Sequence, residues 1–396
     1  MLQIGILKES KINDRRVAFT PKQCKAIEAT YPIKFYVQKS DHRCIPDKDY
    51  LKNGIDIVDS LENCQILMGI KEVNPETILP EKTYIIFSHT KKLQSYNRKM
   101  FQTFIEKKAT LIDYECLEYI DGTRILGFGF FAGIVGAHNG LMAYGIRTNT
   151  FNLNRVYKQR EYKYLISNYF GLKIPPIKIV VTGSGRVSKG IIEIMNLLDI
   201  KEIDEHDFIK HNFTYPVFLH LKGDSLYKRI SDHEYDRIDF HSNPEKYYCT
   251  FSSYLPFCDI LLNGVYWNEK IPQLFSIEQL KAHNCLTTIA DITDDFQGSV
   301  PCNLGEGTIE NPVYGYDLIK GLKSEPYLPN TIDIMAVGNL PNELPKDSSF
   351  YFGEQLFKNI IPILQNEDSP IIKKATILKN GVITPHFAYM KDYASL

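Results

Sequence analysis

The sequence has no surplus of charge of either sign: 46 Lys and Arg stand against 47 Asp and Glu over 396 residues, a net charge of −1. That excludes a chain built around a strongly basic nucleic-acid face or a polybasic membrane tether, and leaves room only for a local cationic pocket. No C-x-x-C pair occurs among the eight cysteines at 24, 44, 64, 116, 249, 258, 285 and 302, which excludes zinc-ribbon and thioredoxin-type sites. The N-terminus reaches Lys8-Glu9 after one short apolar run, so no signal peptide is expected, and reduced thiols in a cytoplasmic protein follow. Only one long uncharged stretch exists. Residues 125–146 hold no Asp, Glu, Lys or Arg over 22 positions, which is membrane-span length. Glycines at 127, 129, 133, 136, 140 and 145, with His138 and Asn139, make it a poor bilayer segment. It reads as a buried helix in tight contact with a neighbour, and no membrane role is expected. Internal repeats and low-complexity tracts are absent.

At 396 residues the chain is too long for one ordinary domain, and its 44% hydrophobic and 23% charged residues are those of a globular protein. The first part alternates short β-branched runs at 3–7, 34–37, 65–70, 84–87 and 110–112 with helical stretches at 21–30 and 94–107, the pattern of an α/β domain with a parallel sheet. A second series of strands is expected at 178–181, 202–204, 260–263 and 287–292, and helical patterning returns around 350–364. In open α/β sheets, ligands bind beyond the carboxyl ends of the strands. Reading off those ends gives Lys8-Glu9, Lys71-Glu72, Ser88-His89, then Asp113 and Glu115. A charge opening one loop is ordinary; lysines, a histidine and carboxylates ending four of five strands make up an acid–base site. Arg16 and Lys92 add cations suited to carboxylates.

The second signal is Gly183-Ser184-Gly185-Arg186-Val187-Ser188-Lys189-Gly190, between an apolar strand and a run with Val187, Ile191, Ile194 and Leu198 at helical spacing. That is the context of a dinucleotide-binding turn. Gly183 permits the turn, Gly185 lets the backbone approach a pyrophosphate, and the helix N-terminus supplies N–H donors. Ser188 holds the third glycine position. Asp204, 21 residues after Gly183, is expected to hold the ribose hydroxyls, which leans toward NAD; Lys201 and Lys210 leave NADP open. Five histidines at 206, 211, 220, 233 and 241 are spaced 5, 9, 13 and 8 apart, without an i, i+4 pair, so no metal site is expected and a polar insertion is the favoured reading. Asp291, Asp294 and Asp295 close a later strand, facing either a ligand or solvent.

Taken together these stretches resemble the lysine-forming saccharopine dehydrogenases (lysine–2-oxoglutarate reductases) and, more distantly, alanine dehydrogenases. The resemblance spans essentially the whole chain. It rests on Lys8-Glu9, Arg15-Arg16-Val17-Ala18-Phe19-Thr20-Pro21, Gly69-Ile70-Lys71-Glu72, Phe87-Ser88-His89-Thr90-Lys91-Lys92, Leu111-Ile112-Asp113-Tyr114-Glu115 and Gly127-Phe128-Gly129-Phe130-Phe131-Ala132-Gly133. Later come the glycine turn, Asn263-Gly264-Val265-Tyr266-Trp267 and Asn339-Leu340-Pro341-Asn342-Glu343-Leu344-Pro345. Residues 183–317 look most like the reductase half of the bifunctional animal and plant lysine-degrading enzymes.

The resemblance implies an α/β fold of two Rossmann-like domains flanking a cleft: a discontinuous substrate domain, 1–133 plus 331–396, around a dinucleotide-binding domain, 134–330, with an insertion at 205–250. It implies reversible NAD- or NADP-dependent interconversion of saccharopine with lysine and 2-oxoglutarate through an imine. Lys71 and His89 match the acid–base pair. Lys11, Arg16, Glu72, Lys92, Glu115 and Arg124 match positions near substrate. Gly183, Ser184, Gly185, Arg186, Val187, Asp204, Asn263, Gly264 and Asp295 fall to the cofactor side, Asp295 matching the cleft aspartate of the alanine dehydrogenase branch. Cations at 11, 16, 71, 92 and 124 are then expected at one cleft, hidden in a neutral total. Gly338 departs from the acid that usually precedes Asn-Leu-Pro, and the glutamate-forming domain of the bifunctional enzymes is not expected. A monomer or small homo-oligomer without nucleic-acid partners is expected. An alanine-type or other opine or amino-acid dehydrogenase is the enzymatic rival; a nucleotide-binding regulatory protein without turnover is the reading from another class.

Overall fold

In a computed structural model, which describes all of residues 1–396 except 12, 160, 284, 367 and 396, the chain is α/β and divides into two compact units. The first is Met1–Phe128 with Pro345–Leu396, the second Gly129–Leu344. The expected boundaries at 133 and 331 shift because the uncharged helix already starts at Gly129. Likewise Thr331–Met335 is a strand of the second unit's sheet, paired on both sides.

In the first unit β1 (Leu2–Ile6), β2 (Ile33–Gln38), β3 (Asp56–Val58), β4 (Ile66–Met68), β5 (Thr83–Ile86) and β6 (Thr110–Asp113) pair in parallel. Their order across the sheet is β6-β5-β4-β1-β2-β3, and two C-terminal strands, Thr376–Lys379 and Val382–Ile383, extend it antiparallel beyond β6. The inner strands β4 and β5 are buried almost throughout, whereas β2 alternates, as coverage on two faces demands of central parallel strands. Helix α1 (Pro21–Thr30) starts where its sequence directs: Pro21 stands at its first turn, and Thr20 and Gln23 form a capping box. The 94–107 stretch forms a 3₁₀ turn, Ser95–Asn97, followed by α2 (Arg98–Glu106). Phe19, Phe35, Tyr84, Phe101, Phe104, Tyr114 and Phe352 fill the core.

The second unit opens with α3 (Gly129–Thr148), a 20-residue helix buried over most of its length. It packs on α4 (Arg186–Leu197) so closely that a Cβ on Gly133 would lie 2.0 Å from the Val187 carbonyl oxygen, and one on Gly190 2.0 Å from that of Phe130. Cβ atoms on Gly136 and Gly140 would instead meet the side chains of Ile292, Ala290 and Leu262. The glycines therefore let the helix pack tightly on its neighbours, as the sequence implied, with backbone meeting backbone at Gly133 and Gly190. Among the described residues no helix is long and apolar enough to cross a membrane.

Its sheet is built from β7 (Lys178–Thr182), β8 (Lys201–Glu202), β9 (Val217–Leu221), β12 (Ile260–Asn263), β13 (Thr288–Asp291), β14 (Val313–Asp317), β15 (Lys323–Ser324) and β16 (Thr331–Met335), in the order β15-β14-β16-β13-β12-β7-β9-β8. β10 (Tyr227–Arg229) and β11 (Tyr247–Cys249) form a separate antiparallel ribbon. Two expectations are corrected here. The segment 205–250 is not simply an insertion, because β9 within it is the direct parallel neighbour of β7. The strand expected at 202–204 shrinks to β8 and is displaced to the sheet edge beyond β9. Apolarity explains the exchange: Val217, Phe218, Leu219 and Leu221 are buried, whereas Lys201 and Glu202 are both exposed and suit a short charged edge.

Candidate active site

The contiguous strands β6, β5, β4 and β1 bring their following loops to one end of the first sheet. Beyond β1, Glu9 accepts hydrogen bonds from the backbone N–H groups of Ile70, at 2.6 Å, and Lys71, at 2.9 Å, which fixes the loop carrying Lys71. Arg16 is 3% exposed and clamped in a bidentate pair with Asp14, Nε–Oδ1 3.0 Å and Nη2–Oδ2 2.5 Å. The guanidinium also lies 4.3 Å over the Phe128 ring. Burial, then the positive charge of Arg16, hold the Lys71 amine below its ordinary value against the pull of Glu72 and Asp14. A lysine so placed exchanges protons more readily near neutrality than an exposed one.

His89 follows β5 and adopts a left-handed backbone, φ +52°, unusual for a residue with a side chain. Its Nδ1 stands 2.7 Å from Glu72 Oε1, and Lys11 Nζ 3.1 Å from Glu72 Oε2. Burial alone would raise the Glu72 pKa; the hydrogen bond and charge of His89 bring it down to about 2. An ionised carboxylate can only accept, so Nδ1 carries the proton and Nε2 is the nitrogen that acts as acid or base. Asp113 ties β5 to β6, accepting from Ser88 N at 3.0 Å, from the Ser88 hydroxyl and from Glu115 N at 2.7 Å; burial raises its pKa. Burial would raise Glu115 too, but Arg124 at 3.3 Å and Lys91 at 4.0 Å keep it low. Lys92 is exposed on the 3₁₀ turn Thr90–Lys92.

The structure thus joins Lys11, Arg16, Lys71, Glu72, His89, Glu115 and Arg124 in one charged network. The expected set omitted Glu9, Asp14, Lys91 and Asp113, which position the others; Glu9 and Asp113 were visible as strand-end carboxylates. Burial, assisted by Asp14, pushes Glu9 up to about 7. The folded chain therefore keeps a proton that the unfolded chain releases above its ordinary value of 4.5. The stability contributed by this group is full below that value and lost as pH rises through about 7. Tm measured between about pH 5 and 8 should fall with this component, and Glu9→Gln should flatten it.

In the second unit the turn after β7 has Gly183 at φ +94°, held by its N–H to the Leu221 carbonyl at 3.0 Å. A Cβ on Gly183 would stand 2.5 Å from the Gly264 carbonyl oxygen, so the Asn263-Gly264 loop rests directly on the turn. Gly185 caps α4 without a side-chain hydrogen bond, and a Cβ there would meet nothing within 4 Å. An open cradle at a helix N-terminus fits a dinucleotide pyrophosphate. Ser188 is buried and donates to the Thr182 carbonyl at 3.0 Å, which explains a hydroxyl in place of the third glycine. Arg186 and Val187 form the first turn of α4.

Two assignments on the cofactor side change. Asp204 is exposed, caps the helix Glu205–Lys210 through Asp207 N at 2.8 Å, and follows the edge strand β8. With β9 interposed it does not sit at the end of the strand beside β7. Asn263 is fully buried, its amide shared among Thr182 Oγ1 at 2.6 Å, Asp291 at 2.8 Å and Ser299 at 2.8 Å, so it braces the turn instead of reaching a ligand. Asp295 enters a tight turn whose Gly298 N–H donates to its carbonyl. The neighbouring Asp294 is the more perturbed: at φ +58° its two carboxylate oxygens are buried, and burial, then repulsion from Glu306 and Asp291, raise it to about 8. The Glu306 carboxyl stands 2.7–2.9 Å from where a Cβ on Gly338 would be, so an acid from another loop occupies the space left by that glycine. Asp204, His206 and Asp207 are the one grouping of possible metal ligands among the described residues, and Asp207 already accepts from His211 at 3.1 Å.

Comparison with known proteins places the fold first. The alanine dehydrogenase/PNT N-terminal domain family matches residues 5–135, and a solved L-alanine dehydrogenase superposes with a TM-score of 0.67 at 14% identity, covering 99% of this chain and all of that one. The chain thus has the alanine dehydrogenase-like architecture of two Rossmann-like domains. In sequence, mitochondrial alpha-aminoadipic semialdehyde synthase of Rattus norvegicus is 27% identical over 97% of this chain and 47% of that protein. Saccharopine dehydrogenase (NAD+, L-lysine-forming) of Yarrowia lipolytica is 23% identical over 95% of this chain and 96% of that one. The chain spans about half the length of the animal relatives it matches.

Proposed function

We propose that the chain is a pyridine-nucleotide-dependent oxidoreductase that reversibly condenses L-lysine with 2-oxoglutarate to saccharopine. The observation that carries this reading is the strand-end network of Lys71, the His89–Glu72 pair and Arg16 in the first unit. Together with the open glycine turn of the second unit and the names of the homologues, it suits an acid–base reaction on a substrate rich in carboxylates.

In the condensing direction the lysine ε-amine attacks the keto carbon of 2-oxoglutarate. Lys71 takes the proton the attacking nitrogen sheds and returns it to the alkoxide oxygen, and His89 Nε2 protonates the resulting hydroxyl, so that water leaves and the imine forms in its protonated state. Arg16, Lys11, Lys92 and Arg124 bind the carboxylates, and Asp14, Glu72 and Glu115 hold three of those cations in place. Residues 183–187 and the Gly264 backbone would hold the nucleotide, whose reduced nicotinamide supplies the hydride for the imine carbon. Hydride and proton together complete the secondary amine.

The strand beside β7 also bears on which nucleotide is used. β9 is followed by an exposed lysine, Lys222, where an acid would bind the ribose diol. A cation there favours the 2′-phosphate of NADP. The deciding experiment compares lysine, ammonium and other amines with 2-oxoglutarate and pyruvate, using NADH and NADPH. Lysine with 2-oxoglutarate and NADPH should turn over fastest, and Lys222→Ala should narrow the NADPH preference about tenfold without affecting NADH. Turnover with ammonium and none with lysine would sink the proposal in favour of an alanine-type dehydrogenase.

A further inference from the structure

We infer that His220 is a positioning residue for the nucleotide, acting through the peptide between Gly183 and Ser184; the inference rests on reading the glycine turn as a cofactor cradle. His220 lies on β9 opposite Val181 of β7, between the buried Leu219 and Leu221. Its side chain is only 7% exposed, and Nε2 stands 2.7 Å from the Gly183 carbonyl oxygen. A carbonyl only accepts, so Nε2 carries the proton. On the other side of the ring, Nδ1 faces Glu202 on the edge strand at 3.9 Å.

The bond matters because of what shares that peptide. The Gly183 carbonyl and the Ser184 N–H belong to one planar trans unit and point in opposite directions. Holding the carbonyl toward β9 therefore turns the Ser184 N–H away from it, within an exposed turn at the start of α4. Gly183, at φ +94°, has the conformational freedom to let this peptide rotate. The Leu221 bond to Gly183 N restrains only the preceding peptide. His220 is thus the side chain that selects one orientation of the Ser184 amide, and its hydrogen bond polarises that amide as a donor to a phosphate oxygen. The displacement of β8 to the edge leaves β9 to provide this histidine.

The test titrates the full-length chain and two variants with NADPH and NADH by nucleotide fluorescence, a readout that needs no turnover, and then measures steady-state constants. His220→Leu should weaken nucleotide binding about tenfold, with a matching rise in cofactor KM and little change in kcat or in KM for lysine. His220→Gln, whose amide N–H can reach the same carbonyl, should bind within about threefold of the wild type. Equal affinity of wild type and His220→Leu, or equal loss in both variants together with a lowered Tm, overturns the positioning role. If His220→Leu does not fold, His220→Asn, polar but too short for the carbonyl, takes its place with the same expected weakening. A wild-type chain that binds neither nucleotide refutes the cofactor reading itself.

Discussion

Replacing His89 with alanine, or Lys71 with methionine, should lower kcat for lysine-dependent reduction of 2-oxoglutarate by about 10²–10⁴-fold while leaving NADPH affinity unchanged, the range expected for loss of a general acid or base. The two losses should differ in their pH profiles. Lys71 is an amine held below its ordinary range by burial and the adjacent Arg16 charge; as the base it must be neutral to act, so its ionisation belongs to the acidic limb, which should disappear with Lys71→Met. His89 is oriented by Glu72 through a 2.7 Å contact. Glu72→Gln removes the charge that stabilises the imidazolium but keeps an amide able to bond the ring. It should therefore cost less than His89→Ala. A left-handed residue at 89 complicates substitution, so Tm should be recorded alongside. Unchanged kcat in both His89→Ala and Lys71→Met would refute the catalytic assignment, and rates against pH at saturating substrate are the measurement.

The second large effect is on folding. Gly133→Ala or Gly190→Ala puts a methyl group 2.0 Å from a backbone oxygen of the facing helix, well inside any real contact. Neither neighbour is a flexible side chain, so α3 and α4 must separate. The expected destabilisation is about 3 kcal/mol or more, at or above the upper end for overpacked sites, and nucleotide binding should fall with it because α4 carries the turn. Gly185→Ala is the informative counterpart. Its Cβ would meet nothing within 4 Å and its backbone is extended, so stability should stay within about 0.5 kcal/mol of the wild type. Nucleotide affinity should nevertheless drop, because the methyl group enters the cradle. Calorimetric Tm and nucleotide titration on the same samples separate the two cases, and a Gly133→Ala chain as stable as the wild type would contradict the packing described.

Much of this architecture was legible in the order of residues. Strand-end polar groups after β1, β4, β5 and β6 marked the network, since a parallel strand buried on both faces leaves only its ends for chemistry. The uncharged glycine run marked a buried helix in tight contact with a neighbour, and Gly183 to Gly190 marked a glycine turn between a strand and a helix. What could not be read was which strand lies beside which. Lys201–Glu202 comes next in sequence after α4, yet β9 takes the central place because its side chains are apolar and those of β8 are not. That exchange puts His220 on the strand beside β7 and Lys222 directly after it, with Asp204 beyond the edge strand. Nor do the positions of Asp294, Glu306 and Gly338 in the sequence announce that Glu306 fills the space at Gly338.

The sequence by itself determined the chemical inventory: which residues titrate, where backbone must approach backbone, and that an almost neutral chain concentrates its cations locally. Tertiary structure decided which of those groups meet, and it did so through burial. It drives Glu9 up to about 7, lets His89 draw Glu72 down to about 2, and weakens the hold of Lys71 on its proton. A residue type carries its ordinary acidity in the sequence, but its neighbours and its access to water exist only once the strands have taken their places in the sheet.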